Sequence, residues 1–510
     1  MDKSDWVIGV DASTTACKAV VWDCHGNPVS AGRASLPIAM PQPGWHEQPA
    51  ESWWGALARA LRQALRNVDC SRLAGLAIAH QRETFVPVDR EGRPLRAGIV
   101  WMDERAAGSM PALEGLYDQA EFHRLTGKPL TANLTIAKIA WLREHEPGVF
   151  ERAARYLDVH AYLVQRLTGL YLTGWGCADP TGLFDMTRRQ WAGDLLAKIG
   201  VSTDQMPGAA PAGAPLGKVT RAAARVTGLP EGLPVIAGLG DGQAGGVGAN
   251  ICQPGTAYLT LGTSVISGSF SGQYVTSNAF RTMFGGVPGS YLLETVLLGG
   301  TYTIEWLLKT LLGKDGTAAR RERERLDAAI AHVPAGSEGL VLVPYWNTAM
   351  NPYWDATASG IVIGWKGIHR PEHVYRAILE GIALEVRLQF EGVEQALGSP
   401  VERVVAMGGG ANSEAWRQIV ADVTGKPVHR TVAPETTALG AGILAASGAG
   451  LFTGVDQAAA QMAGWRAEVV EPTPAGQAFY AELYESVYRR LYPAVREEMA
   501  NLFHLSERHP

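Results

Sequence analysis

Two stretches about half a chain apart share one plan, and that repetition constrains the fold more than any other feature. Near the start, Trp6-Val-Ile-Gly-Val-Asp11 is an apolar run closed by an acid. Ala-Ser-Thr-Thr-Ala-Cys-Lys18 then turns the chain, and Ala19-Val-Val-Trp22 returns. Near the middle, Gly255-Thr-Ala-Tyr-Leu-Thr-Leu261 leads through Gly262-Thr-Ser264 into Val265-Ile-Ser-Gly268. Each reads as a β-hairpin whose loop carries hydroxyls and free backbone N–H groups. The recurrence predicts a duplicated domain, with the two loops facing one another across a cleft. A chain of 510 residues is also too long for one hydrophobic core. We expect an α/β protein of two domains, residues 1–246 and 247–510.

Between the hairpins, Leu233-Pro-Val-Ile-Ala237 reads as a short buried strand. It runs into Gly238-Leu-Gly-Asp-Gly-Gln-Ala-Gly-Gly-Val-Gly-Ala-Asn250, where Asp241 is the one charged residue. An acid at the glycine-rich start of a helix lies where anions are attracted, and could take a proton from an attacking hydroxyl. Asp is equally at home there as a helix N-cap, so the residues alone leave both readings open. The first hairpin loop could cradle phosphate, with Asp11 placed to hold magnesium through water, or could be an ordinary hydrophilic turn. Val404-Val-Ala-Met-Gly-Gly-Gly-Ala-Asn412 runs from a strand into three glycines, which let a ligand approach the backbone.

Two further strand ends carry charge. Leu76-Ala-Ile-Ala79 ends in His80-Gln-Arg-Glu-Thr84, and Ile99-Val-Trp-Met-Asp-Glu-Arg105 brings a tryptophan and an acid to another end. Open α/β sheets bind ligands at such ends. On a strand Arg82 and Glu83 face opposite ways; in a turn both can reach one polyhydroxylated ligand, with Trp101 to stack on its C–H face. A surface salt-bridge cluster is the competing reading. From Tyr117 to about Leu167 the pattern is helical, and Pro207 to Gly217 reads as a surface connection.

The formal net charge of −5 argues against a nucleic-acid footprint. Five cysteines without CxxC spacing read as reduced thiols of a cytoplasmic protein, with neither a disulfide framework nor a zinc site. Met1-Asp-Lys-Ser-Asp5 carries no signal-peptide pattern. The most apolar late run, Ala438 to Phe452, is interrupted by glycines and too short to span a bilayer, so no membrane partner is expected.

Taken in order, VDASTTACK, WHEQPAESWW, HQRET, WMDER, GDGQAGGVGA, LGTS and MGGGANSEAWRQIVAD resemble the motifs of the FGGY carbohydrate kinases. These belong to the actin–hexokinase superfamily, with two ribonuclease-H-like domains around a cleft, and the resemblance covers nearly the whole chain. It implies Asp241 as general base and Asp11 as the residue that helps hold Mg2+. It implies Ser13, Thr14 and Lys18, with Gly262, Thr263 and Ser264, around the ATP phosphates, and Gly409, Gly410 and Asn412 at the adenosine. The sugar site implied by resemblance comprises Gln81, Arg82, Glu83, Trp101, Asp103, Asp241 and Gln243. Substrate motifs diverge: QRET looks like glycerol kinases, whereas WMDER and Thr131-Ala-Asn133 look more like xylulokinases, which usually carry Met-His in place of Arg82-Glu83. A pentulose such as D-xylulose is the expected substrate, with glycerol, another polyol or gluconate as alternative. A catalytically silent sugar or nucleotide sensor and an actin-like filament protein are the competing classes, and a homodimer is expected.

Overall fold

The computed structural model describes residues 5–508; Met1–Ser4, part of the segment read above for a signal peptide, lie outside the described residues. The first sheet comprises β1 (Trp6–Ala12), β2 (Ala16–Trp22), β3 (Pro28–Ser35), β4 (Leu73–His80), β5 (Pro215–Lys218) and β6 (Pro234–Ile236), in the spatial order β5-β6-β4-β1-β2-β3. The second comprises β7 (Thr256–Leu261), β8 (Val265–Ser271), β9 (Arg281–Phe284), β10 (Tyr291–Leu297), β11 (Arg403–Met407) and β12 (Val428–Arg430), in the order β9-β10-β8-β7-β11-β12. In each sheet the leading strand pairs antiparallel with its hairpin partner and parallel with a later strand, β1 with β4 and β7 with β11. The duplicated hairpin thus sits at the same place in two sheets of one design.

Both leading strands are buried almost throughout, as strands covered on both faces must be, and this is why they read as continuous apolar runs. Helix α1 (Ala50–Ala64) packs Trp53, Leu57 and Leu61, spaced four apart, onto one face of the first sheet. The other face is covered from the far end of the chain. Helix α2 (Asp241–Gly248) follows β6. Helices α3 (Pro371–Leu397), α4 (Glu414–Thr424) and α5 (Thr436–Gly448) belong to the second half. Yet α5 lays Ala438, Leu439 and Ala441–Ala446 against Val7, Val20, Trp22, Ala77 and Ala79 of the first sheet. In exchange, the segment leaving α2 puts Ala249 and Ile251 on Tyr258, Leu292 and Val405 of the second. The two helices cross at glycines: a Cβ on Gly440 would lie 1.8 Å from the Ala244 carbonyl, and one on Gly248 1.9 Å from that of Thr436. The expected division between residues 246 and 247 falls inside α2.

Two local expectations change. The stretch from Tyr117 to Leu167 is not continuous helix: Gln119–Thr126, Thr135–His145, Pro147–Arg152 and Val159–Thr168 are helical, but Arg155–Asp158 is a strand paired antiparallel with Phe85–Val88. The backbone of that neighbour overrides the local helical pattern. The connection from Pro207 to Gly217 includes the strand Gly208–Ala210 and enters β5. Among the described residues no helix is long and apolar enough to cross a membrane.

Candidate active site

Asp241 is the first residue of α2, and the residue at the cap position is Gly240. The Asp241 carboxylate accepts from its neighbour Gly242 N at 2.8 Å and makes no cap to a later turn. Its Oδ1 also meets Arg82 Nε at 3.1 Å, and 39% of its side chain faces the cleft. The surrounding protein removes water and holds its pKa above the ordinary carboxylate value, while Arg82 and the Gly242 N–H pull the other way. A Cβ on Gly240 would lie 2.4 Å from Arg82 Cδ, so the glycine is what lets the guanidinium approach the acid.

Arg82 and Glu83 follow the end of β4. Glu83 adopts φ +55°, in the left-handed region that non-glycine residues seldom enter. That turn presents both neighbours to the same side. Together with Trp101, Asn133, Asp241, Ser264, Ile266, Arg281, Val296, Leu298 and Met350 they line a cavity of about 120 Å³. Its walls come from both halves of the chain. Lys138 braces it from behind, donating to the carbonyls of Glu83 (3.1 Å), Val100 (3.1 Å) and Trp101 (3.2 Å). Burial brings the Lys138 pKa down to about 7, partly offset by the charges of Glu83 and Asp103.

Three of the residues proposed for the sugar site do not line this cavity. Asp103 is buried and bound to His46 N and to the Arg105 backbone and guanidinium. Gln81 donates to Gln48 Oε1 at 2.9 Å, and Gln48 in turn donates to the Thr14 carbonyl at 2.7 Å. Gln243 donates to the Gly176 carbonyl at 2.9 Å, beside Asp179 and Phe284. All three hold pieces of the wall together. Asn133 belongs to the Thr131-Ala-Asn133 segment already read among the substrate motifs; Arg281 and Lys138 were not expected, nor was Glu294, buried behind Arg281. The one signal in the sequence was a lone acid, Glu294, inside the otherwise uncharged run Tyr291–Leu297.

In the first hairpin, Asp11 and Lys18 are register partners on β1 and β2. Asp11 Oδ1 is buried without a hydrogen-bond partner. Burial and then the charge of Asp241 push its pKa up to about 7, against the opposing pull of Lys18. Lys18 Nζ pairs with Glu435 Oε2 at 2.7 Å, at the head of α5. Ser13 Oγ donates to the Ala16 carbonyl at 2.9 Å, and Thr14 Oγ1 accepts from the Trp101 indole at 2.9 Å. In the second loop the Gly262 and Thr263 carbonyls accept from Thr301 N (2.8 Å) and Tyr302 N (3.3 Å), while Ser264 lines the cavity beside Asp241. Beyond β11, open space lies over Gly409. A Cβ on Gly410 would instead strike Trp416 at 2.4 Å, so that glycine is required by packing. Asn412 Oδ1 accepts from Arg430 at 2.6 Å.

Two sheets of one design, with a cavity of charged side chains shared between the two halves of the chain, have the architecture of the actin–hexokinase phosphotransferases. The model of the FGGY family of carbohydrate kinases, N-terminal domain, matches residues 6–248, and that of its C-terminal domain matches residues 257–449. The chain belongs to the FGGY family of carbohydrate kinases, and this settles an enzyme over a silent sensor or a filament protein. The xylulose kinase of Escherichia coli (strain K12) is 31% identical over 445 residues, covering 86% of this chain and 89% of that protein. The glycerol kinase of Alkalilimnicola ehrlichii is 31% identical over 461 residues, covering 87% and 90%. The crystal structure of xylulose kinase from Rhodospirillum rubrum superposes with a TM-score of 0.90 at 30% identity, covering 97% of this chain and 99% of that one.

Proposed function

We propose that this enzyme transfers the γ-phosphoryl group of ATP to a hydroxyl of a pentulose such as D-xylulose, with Asp241 as general base. The observation that carries the reading is the shared cavity: Asp241, Arg82 and Trp101 from the first half meet Ser264 of the second phosphate loop. The substrate hydroxyl gives its proton to Asp241 as its oxygen bonds to the γ-phosphorus, and the bond from that phosphorus to the ADP oxygen breaks. Arg82 orients the acid and keeps it ionised. Ser13, Thr14 and Lys18 meet the phosphates from one side, Gly262, Thr263 and Ser264 from the other, and Gly409, Gly410 and Asn412 border the adenosine. Gln81, Asp103 and Gln243 act through the loops they brace.

The family implies magnesium. Asp11, with a buried and unpartnered oxygen, fits it, and no cluster of three or more ligating side chains occurs among the described residues. One carboxylate plus phosphates and water is how magnesium is held in such enzymes. Bound there, the ion neutralises charge on the transferred group.

Glycerol, another polyol or gluconate is the second reading, favoured by the adjacent Arg82–Glu83 pair and by the equal identity to the glycerol kinase. A coupled assay with MgATP across pentuloses, hexuloses, polyols and gluconate decides: fastest turnover of a pentulose supports the first reading, and no turnover of any of them removes both. Division at residues 246/247, a homodimer and a cytoplasmic location complete the proposal; light scattering on the purified protein tests the dimer.

A further inference from the structure

The cavity is closed at its inner end by a chain of alternating charge that passes from one domain to the other and back. Asp241 meets Arg82 at 3.1 Å, and Arg82 Nη1 meets Glu294 Oε2 at 2.7 Å. Glu294 also binds Arg281 Nη2, and Arg281 Nη1 meets Glu83 Oε1 at 2.9 Å. Arg281 and Glu294 are directly opposite on β9 and β10, a placement that favours a cross-strand ion pair. Arg82, Glu83, Arg281 and Glu294 are all at least nine-tenths buried. Buried charges of this kind are tolerated only when paired.

Of the two residues from the second domain, Arg281 lines the cavity and Glu294 lies behind it. Arg281 Nε is buried and has no hydrogen-bond partner, and the hydroxyl of Tyr258, buried beside Arg82, has none either. The chain holds three carboxylates, Asp241, Glu83 and Glu294, against two guanidiniums, Arg82 and Arg281. The next cations are already committed, Lys138 to three carbonyls and Lys128 to Asp179 and the Thr126 and Thr282 carbonyls. Each guanidinium of the wall is therefore already paired with carboxylates, and Ile266, Val296, Leu298 and Met350 give its remainder no means of solvating an anion.

We infer that Arg281 is a substrate-binding residue contributed across the domain gap, and that this chain of charges selects an uncharged vicinal diol over a sugar acid. The inference rests on the kinase reading above. A hydroxyl both accepts from a guanidinium and donates to a carboxylate, so neighbouring hydroxyls fit an edge on which Arg and Glu alternate. A carboxylate can only accept, and here it would meet two of its own kind, Asp241 and Glu83. The guanidinium fork matters because it must hold Glu83, Glu294 and a hydroxyl at once; an ammonium on a flexible stem cannot match that plane.

The test compares the full-length enzyme with Arg281→Met and Arg281→Lys, using MgATP with D-xylulose, glycerol or D-gluconate, by coupled assay and by calorimetry of sugar binding. We expect the wild type to bind and phosphorylate a neutral substrate and to discriminate against D-gluconate. Arg281→Met should raise KM for that substrate at least about tenfold, as loss of a charge-assisted hydrogen bond does. Arg281→Lys should fall between the two, and KM for ATP should stay put in both. Arg281→Lys retains the charge balance, so it decides the matter alone if Arg281→Met fails to fold. A normal sugar KM in either folded variant overturns the inference. Preference of the wild type for D-gluconate also overturns it, while leaving the kinase reading intact. Absence of both binding and turnover across the three substrates overturns the kinase reading and the inference together.

Discussion

The two hairpin loops that duplication placed opposite one another are fastened in different ways. The first is held by a backbone bond from Leu36 N to the Thr15 carbonyl at 2.8 Å and, in addition, by side chains of its own domain: Thr14 Oγ1 by the Trp101 indole, and the Thr14 carbonyl by Gln48, which Gln81 holds in turn. The second is held through its carbonyls, by the backbone N–H groups of Thr301 and Tyr302. One side chain that fixes the first loop, Trp101, also borders the cavity beside Asp241. The first loop is thus tied to the cavity through the Trp101 indole, whereas the second reaches it directly through Ser264. One backbone plan has been kept, and its two copies meet the cavity by different contacts.

The largest effect should come from the acid that both loops serve. Asp241→Asn should lower kcat by about 10²–10⁴, with ATP affinity nearly unchanged. Its melting temperature should also change little, because Gly240 occupies the cap position and the carboxylate caps no later turn. Near-normal turnover would take Asp241 out of the mechanism.

Next, the asymmetry of the loops can be tested directly. Trp101→Phe keeps a ring against the sugar but removes the hydrogen bond to Thr14. KM for sugar and for ATP should rise together, each by about five- to tenfold, the equivalent of one lost hydrogen bond. Thr263→Ala should move KM for ATP alone. If both variants disturb the same single substrate, the contrast between the loops is wrong.

The smallest effect concerns the brace behind the cavity. Lys138, with its pKa lowered to about 7, loses its proton as pH rises through that value and becomes a weaker donor to the Glu83, Val100 and Trp101 carbonyls. Sugar KM should therefore rise by a few-fold, about one weakened hydrogen bond, between pH 7 and 9. Lys138→Met should have a raised KM already at pH 7 and no further rise. A wild-type KM that is flat over this interval would show that the brace keeps its proton.

Much of this was legible in residue order. The hairpins, the strand into Asp241 and the glycine turn after β11 are local patterns, and local patterns survive into the fold because backbone pairing is what they encode. Arg82 and Glu83 were legible as a turn pair, and Glu83 at φ +55° is how the turn is made. Asp103 was misplaced for a physical reason: next to Trp101 it has the right chemistry for a sugar, but Arg105, two residues on, neutralises it inside the wall. Arg281 and Lys138 were invisible because their partners, Glu83 and the loop of Trp101, are remote in sequence; only the packed molecule brings them together. The strand Arg155–Asp158 failed for the same reason, since its partner Phe85–Val88 lies far upstream.

The docking of α5 on the first sheet has a consequence for how the protein is made. When the ribosome has delivered the first half, one face of its sheet, with Val7, Val20, Trp22, Ala77 and Ala79, still lacks the helix that covers it. That helix ends at Gly448, almost at the far end of the chain. The nascent first half must therefore wait with an apolar face bare until most of the second has been synthesised, a situation in which exposed surface invites chaperones or aggregation. A gene cut between the two domains should yield fragments that are insoluble apart and recover solubility only when expressed together.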